Sequence, residues 1–104
     1  MLKEIEDHRE QIAELCRHYG VRRLEIFGSA ARAHDFDRED SDIDFLVECS
    51  ETRNLSFTDH LTLQDDLTRL LGHKVQLARR KSIMNSRNHI RRNSILRDLE
   101  VVYG

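Results

Sequence analysis

Residues 42–47 read Asp-Ile-Asp-Phe-Leu-Val, an acidic and apolar alternation that turns wholly apolar. That is the period of a strand entering a sheet, and it sends both carboxylates out of one face with Cα atoms about 6.6 Å apart. Strands disfavour Asp, and two like charges so placed repel unless a cation lies between them. Asp42 and Asp44 are therefore candidate ligands of an oxygen-loving divalent ion. Mg²⁺, which keeps waters and takes phosphate oxygens, fits such a pair, and two such ions can clamp an in-line phosphoryl displacement. A calcium loop built from Asp40, Asp42, Asp44 and Glu51 would need Gly at its sixth position, where this chain has Phe45.

The rest of the chain supplies elements to pack around that strand. Leu2, Ile5, Ile12, Leu15, Cys16 and Tyr19 recur at mostly helical intervals and Gly20 follows as a stop, which predicts a helix over 2–19. Val21–Phe27 predicts a strand, with Leu24 and Ile26 facing one way and Arg23 and Glu25 the other. Ala30–Ala33 suits a short helix, and 34–41 a polar loop. Asp42–Val47 is the second strand, followed by a loop over Glu48–Asn54. Ser56 and Asp59 resemble a capping box, ahead of a long helix with Phe57, Leu61, Leu67, Leu70 and Leu71 that ends at Gly72. Lys74–Ala78 is a short third strand. The tail then predicts helical turns carrying Ile83, Ile90, Ile95, Leu96 and Leu99, and a last extended segment at Val101–Tyr103.

The first strand runs directly into Gly28-Ser29. A glycine at a strand-to-helix turn lets backbone approach a ligand, and the free N–H groups that follow, with the Ser29 hydroxyl, suit phosphate oxygens. Arg32 lies three residues on, near the same helical face, and offers a fork of donors. The charge distribution agrees with this division of labour. The chain carries 17 Lys plus Arg and 19 Asp plus Glu, a net charge of −2, yet seven carboxylates and one base lie between Asp35 and Glu48. From Lys74 to Arg97 there are eight bases and no acid. One segment suits a metal cation; the other suits phosphates or an acidic surface.

At 104 residues the chain is long enough for one domain, and about 65% surface burial permits a modest core but not a deep enclosed cavity, so part of the site is expected from a partner. No apolar run approaches the roughly 18 residues of a membrane span, and Met1 is not followed by a basic then apolar leader, which places the chain in the cytoplasm and off membranes. Cys16 and Cys49 are too few for a disulfide scaffold and lie in no ligand spacing. The six histidines are likewise scattered.

Taken together, Gly28-Ser29, Ala31-Arg32 and Ser41-Asp42-Ile43-Asp44 resemble the paired motifs of the minimal nucleotidyltransferases of the DNA polymerase beta superfamily. The motifs cover Leu24–Val47, and the flanking helix and strand extend the likeness over nearly all of 1–104. The resemblance implies a single minimal nucleotidyltransferase domain of α/β (α+β) class, a small mixed β-sheet with helices packed against it. It implies transfer of a nucleoside monophosphate, AMP from ATP, to a hydroxyl of a protein partner, and an antitoxin role against a HEPN-type toxin. On that likeness Gly28 and Ser29 hold the triphosphate, Arg32 steadies its charge, Ser41 shapes the turn, and Asp42 and Asp44 hold two Mg²⁺ ions.

The sequence departs from the family pattern twice. Ala33 stands where Gly is usual. The third strand reads Val75-Gln76-Leu77 where the family carries a carboxylate as Val-Asp-Leu. Glutamine offers a neutral oxygen but takes up no proton at neutral pH, and losing such a group costs about 10²- to 10⁴-fold in rate. Gln76 is compatible with a slow enzyme, with one that borrows a base from its partner, and with an antitoxin that neutralises by binding alone. Direct nucleic-acid binding by the basic tail ranks below these, because only Tyr103 is aromatic near it and stacking platforms are absent.

Overall fold

A computed structural model describes residues 2–28, 42–49, 55–85, 87–97 and 99–104, without the side chains of His89, Arg91 and Ser94. The elements are α1 (Lys3–Asp7), α2 (Arg9–Tyr19), β1 (Val21–Phe27), β2 (Ile43–Cys49), α3 (Phe57–Leu71), β3 (Val75–Arg79), α4 (Arg80–Met84), α5 (His89–Arg97) and β4 (Glu100–Tyr103). The strands form a mixed four-stranded sheet in the order β3-β2-β1-β4. β1 pairs antiparallel with β2 and with β4, while β2 and β3, joined through α3, run parallel.

One sheet face carries the main core. Leu24 and Ile26 of β1, Phe45 of β2, Ile12 of α2 and Leu63 and Leu67 of α3 are fully buried together there. Each such side chain contributes about 1.5–3 kcal/mol relative to exposure, which holds α2 and α3 on this side. Tyr19 also closes the two helices together, its hydroxyl donating to Asp66 Oδ2 at 2.9 Å. Burial, then that hydrogen bond, pushes the Tyr19 phenol up to about 12. Cys16 sits in the same core as a free thiol, also pushed up to about 12 by burial, with Arg17 opposing; at neutral pH it is a small apolar residue.

Several boundaries differ from the sequence expectation, for physical reasons. The first helix is two helices broken at His8, whose backbone leaves the helical region at φ −117 and ψ 19. The Glu4 carbonyl, which would accept the His8 N–H in a continuous helix, accepts instead from His8 Nδ1 at 2.7 Å, and the His8 N–H turns to Ile5 at 3.2 Å. Strand β2 begins at Ile43, one residue later than expected, and runs on through Glu48 and Cys49, where pairing with β1 outlasts the apolar run. The long helix matches its signals. Ser56 caps it by accepting the Asp59 N–H at 3.0 Å, and Gly72 closes it. The expected helix at Ala30–Ala33, the loop 34–41 and the loop after Cys49 up to Asn54 lie outside the described residues.

Candidate active site

The register sets one row of side chains across the sheet, on the face away from the main core. Phe27 of β1 stands opposite Asp44 of β2, and Asp44 stands opposite Gln76 of β3. Asp42 precedes β2 by one residue, and Gln76 Nε2 donates to its Oδ2 at 3.3 Å. Asp42, Asp44 and Gln76 are thus brought to one end of one face, and both carboxylates are part-exposed. Among the described residues no third carboxylate, imidazole or thiol joins them in a metal-ligand cluster.

Gly28 bounds this row. It follows β1 with φ +71, in the left-handed region, and a Cβ built there would lie 3.1 Å from Asp44 Oδ2. The glycine keeps clear the space beside that carboxylate oxygen, as a ligand of Asp44 requires. Paired hard oxygens next to such a cleared space fit a divalent cation with water or phosphate completing its shell. Ser29, Arg32 and Ser41, the other sequence-predicted site residues, lie outside the described residues.

Two features around the row were not legible beforehand. Glu25, which faces away from Leu24 and Ile26 as the alternation predicts, is buried there at 4% exposure. It lies on the carboxylate face one residue pair, about 7 Å, from the Asp44 row. Arg80, the first residue of α4, pairs with Glu25 and approaches Glu48 Oε2 at 3.9 Å, so α4 is fastened to this face. Alternation alone gives Glu25 its face, and nothing local signals a base 55 positions away to bury it.

The second feature fixes the edge strand. Leu77, next to Gln76, donates its N–H to Gln64 Oε1 of α3 at 3.0 Å, and its backbone also bonds the His60 ring. Among the described residues, the buried His60 Nδ1 has no hydrogen-bond partner. Burial, despite the Leu77 bond and with help from Arg79, holds the His60 pKa below its ordinary value of 6.5. A side chain of α3 thus satisfies one backbone N–H of edge strand β3 and holds the peptide next to Gln76. A groove of about 580 Å³ lined by Leu15, His18, Asp66 and Leu70 lies between α2 and α3, and no residue of the carboxylate row lines it.

The family model of polymerase beta nucleotidyltransferases matches residues 10–103. The chain is 43% identical over 67 residues to MJ1379 of Methanocaldococcus jannaschii, provisionally named a protein adenylyltransferase, covering 64% of this chain and 65% of that one. It is 35% identical over 86 residues to the protein adenylyltransferase MntA of Thermococcus cleftensis, covering 79% and 80%. A solved structure provisionally named a minimal nucleotidyltransferase superposes with TM-score 0.69 at 33% identity, covering 92% and 90%. The fold is also that of a chain in the complex of tri-AMPylated Shewanella oneidensis HEPN toxin with MNT antitoxin, with TM-score 0.64 at 18% identity, covering 96% and 72%. Sequence and superposition agree, and the chain belongs to the polymerase beta nucleotidyltransferase family.

Proposed function

We propose that this chain transfers AMP from ATP to a hydroxyl of a HEPN-type toxin and so acts as its antitoxin, in the cytoplasm where ATP is available. The observation that carries this is the Asp42 and Asp44 pair beside the space that Gly28 keeps open. The names of the curated relatives and the AMPylated toxin in the superposed complex support the choice of reaction and acceptor. Asp42 and Asp44 would hold Mg²⁺. When bound, the metal polarises the α-phosphate and offsets charge on the departing pyrophosphate. Gly28 and Ser29 would seat the triphosphate, Arg32 would pair with its charge, and Ser41 would shape the turn that delivers Asp42.

The reaction forms a bond from the acceptor oxygen to the α-phosphorus and breaks the bond from that phosphorus to pyrophosphate. The proton of the acceptor hydroxyl must leave. Gln76, at the place nearest the pair, is neutral and already donates to Asp42, so it positions that carboxylate but accepts no proton. The proton therefore passes to solvent or to a base the partner brings. Placement of the two substrates is then the chain's main contribution.

The same glutamine favours a second reading, neutralisation by binding alone. Both are tested by incubating the chain with ATP, Mg²⁺ or Mn²⁺ and the HEPN-type protein encoded beside it, with intact mass as the readout. Addition of AMP is expected, Asp44→Ala should abolish it, and Gln76→Asp should raise turnover by about 10²-fold or more. No addition with either metal refutes the transfer. Full neutralisation by the Asp42→Ala, Asp44→Ala chain would establish that binding suffices.

A further inference from the structure

The carboxylate face has a positively charged wall. Arg80 at its base is spent on anchoring through its pair with buried Glu25, while Arg79 turns to the core face, where its Nη2 donates to the Leu55 carbonyl at 2.8 Å. α4 packs on β2 and β3, and Arg92 Nη1 reaches the Met84 carbonyl at 3.5 Å, which ties α5 to α4. The bases beyond the anchors, Lys81, Arg87 and Arg97, are exposed. In α5, Ile95 is turned inward at 8% exposure, whereas Ile90, Asn93 and Arg97, spaced to share one face, are all exposed. Ile90 is 85% exposed, more than any other large apolar side chain among the described residues.

An exposed isoleucine that shares its helix face with Arg97 and follows exposed Arg87 by three residues is of no use to a phosphate backbone, and residues 80–102 contain no Phe, Tyr or Trp on which a base would stack. Protein interfaces use this combination: an apolar anchor that fills a socket, within a charged rim that steers encounter. From this we infer that the α4–α5 wall, with Ile90 at its crest, is the docking surface for the acceptor protein, and that the partner offers an acidic surface around an apolar socket. The inference rests on the reading that the acceptor is a protein. It adds where that protein sits: on the same sheet face as Asp42 and Asp44, so that its hydroxyl is delivered to the row one residue pair beyond Glu25.

The test uses the full chain and the HEPN-type protein encoded beside it, with association and dissociation rates measured at low and physiological salt. Ile90→Asp should raise the dissociation rate at least about tenfold. Arg87→Glu with Arg97→Glu should slow association about tenfold and flatten its salt dependence. Neither set should change the Mn²⁺-ATP affinity measured by calorimetry, which also reports that the variants fold. Partner binding by both variants at the wild-type rates overturns the inference, as does a wild type that takes up Mn²⁺-ATP but does not bind the partner. Loss of binding to a single-stranded RNA, with protein binding intact, would reassign the wall to nucleic acid and overturn it too. AMP transfer read in the same samples separates the two claims: a partner that binds through Ile90 but is never modified refutes the activity and supports the surface.

Discussion

Replacing Arg80 with methionine isolates the device that fastens the basic wall to the sheet. Glu25 is 5% exposed at its side chain and Arg80 23%, so the pair is largely shielded from water on one side and grazed by it on the other. Breaking a buried pair by removing one partner costs about 3–5 kcal/mol, since the remaining charge stays desolvated, and the part-exposed arginine puts this case near about 3 kcal/mol. With a urea slope of about 1–2 kcal/mol/M for a small domain, the unfolding midpoint should fall by about 1.5–3 M. Urea titration followed by circular dichroism reads this directly. Glu25→Met combined with Arg80→Met should recover most of the loss, because an apolar pair leaves no charge unpaired. A midpoint shift below about 0.5 M for the single variant, corresponding to less than about 1 kcal/mol, would show that water already reaches Glu25 and refute the reasoning.

Gly28→Ala should destabilise the fold by about 1–2 kcal/mol from its left-handed backbone and, by crowding Asp44, weaken Mn²⁺-ATP binding about tenfold in calorimetry. His60 gives a pH dependence. Its folded pKa is depressed, so between the folded pKa and 6.5 the unfolded chain binds more protons, and the stability contributed by neutral His60 is complete above 6.5 and lost as pH falls below it. Urea midpoints at descending pH should show the decline, and His60→Gln should reduce it. Gln64→Leu, which orphans the Leu77 N–H at the sheet edge, should cost about 1–3 kcal/mol in the same assay, and an unchanged midpoint would mean water replaces the bond.

What could be read from the sequence was what local chemistry dictates. Ser56 and Gly72 delimit α3 because caps act over a few residues, and Leu24 and Ile26 face the core because strand alternation is local. The carboxylate pair was legible for the same reason, since two residues of spacing fix a common face. The break at His8 was not, because helical periodicity does not reveal a ring that captures its own helix's carbonyl. The burial of Glu25 was not legible because it depends on Arg80, and the hold of His60 and Gln64 on Leu77 depends on how α3 lies along β3. Both are products of strand order and crossover, which no single segment encodes. The placement of Gln76 opposite Asp44, and so its bond to Asp42, required the parallel register of β2 and β3.

The central claim is that Asp42 and Asp44, beside the opening kept by Gly28, hold a divalent metal with its nucleotide. Isothermal titration of the folded chain with Mn²⁺ and ATP tests it most directly. Saturable association that requires both components is expected, and it should disappear in the Asp42→Ala, Asp44→Ala chain with its fold intact. A folded wild type that takes up neither, or a double variant that binds as tightly as wild type, would contradict it.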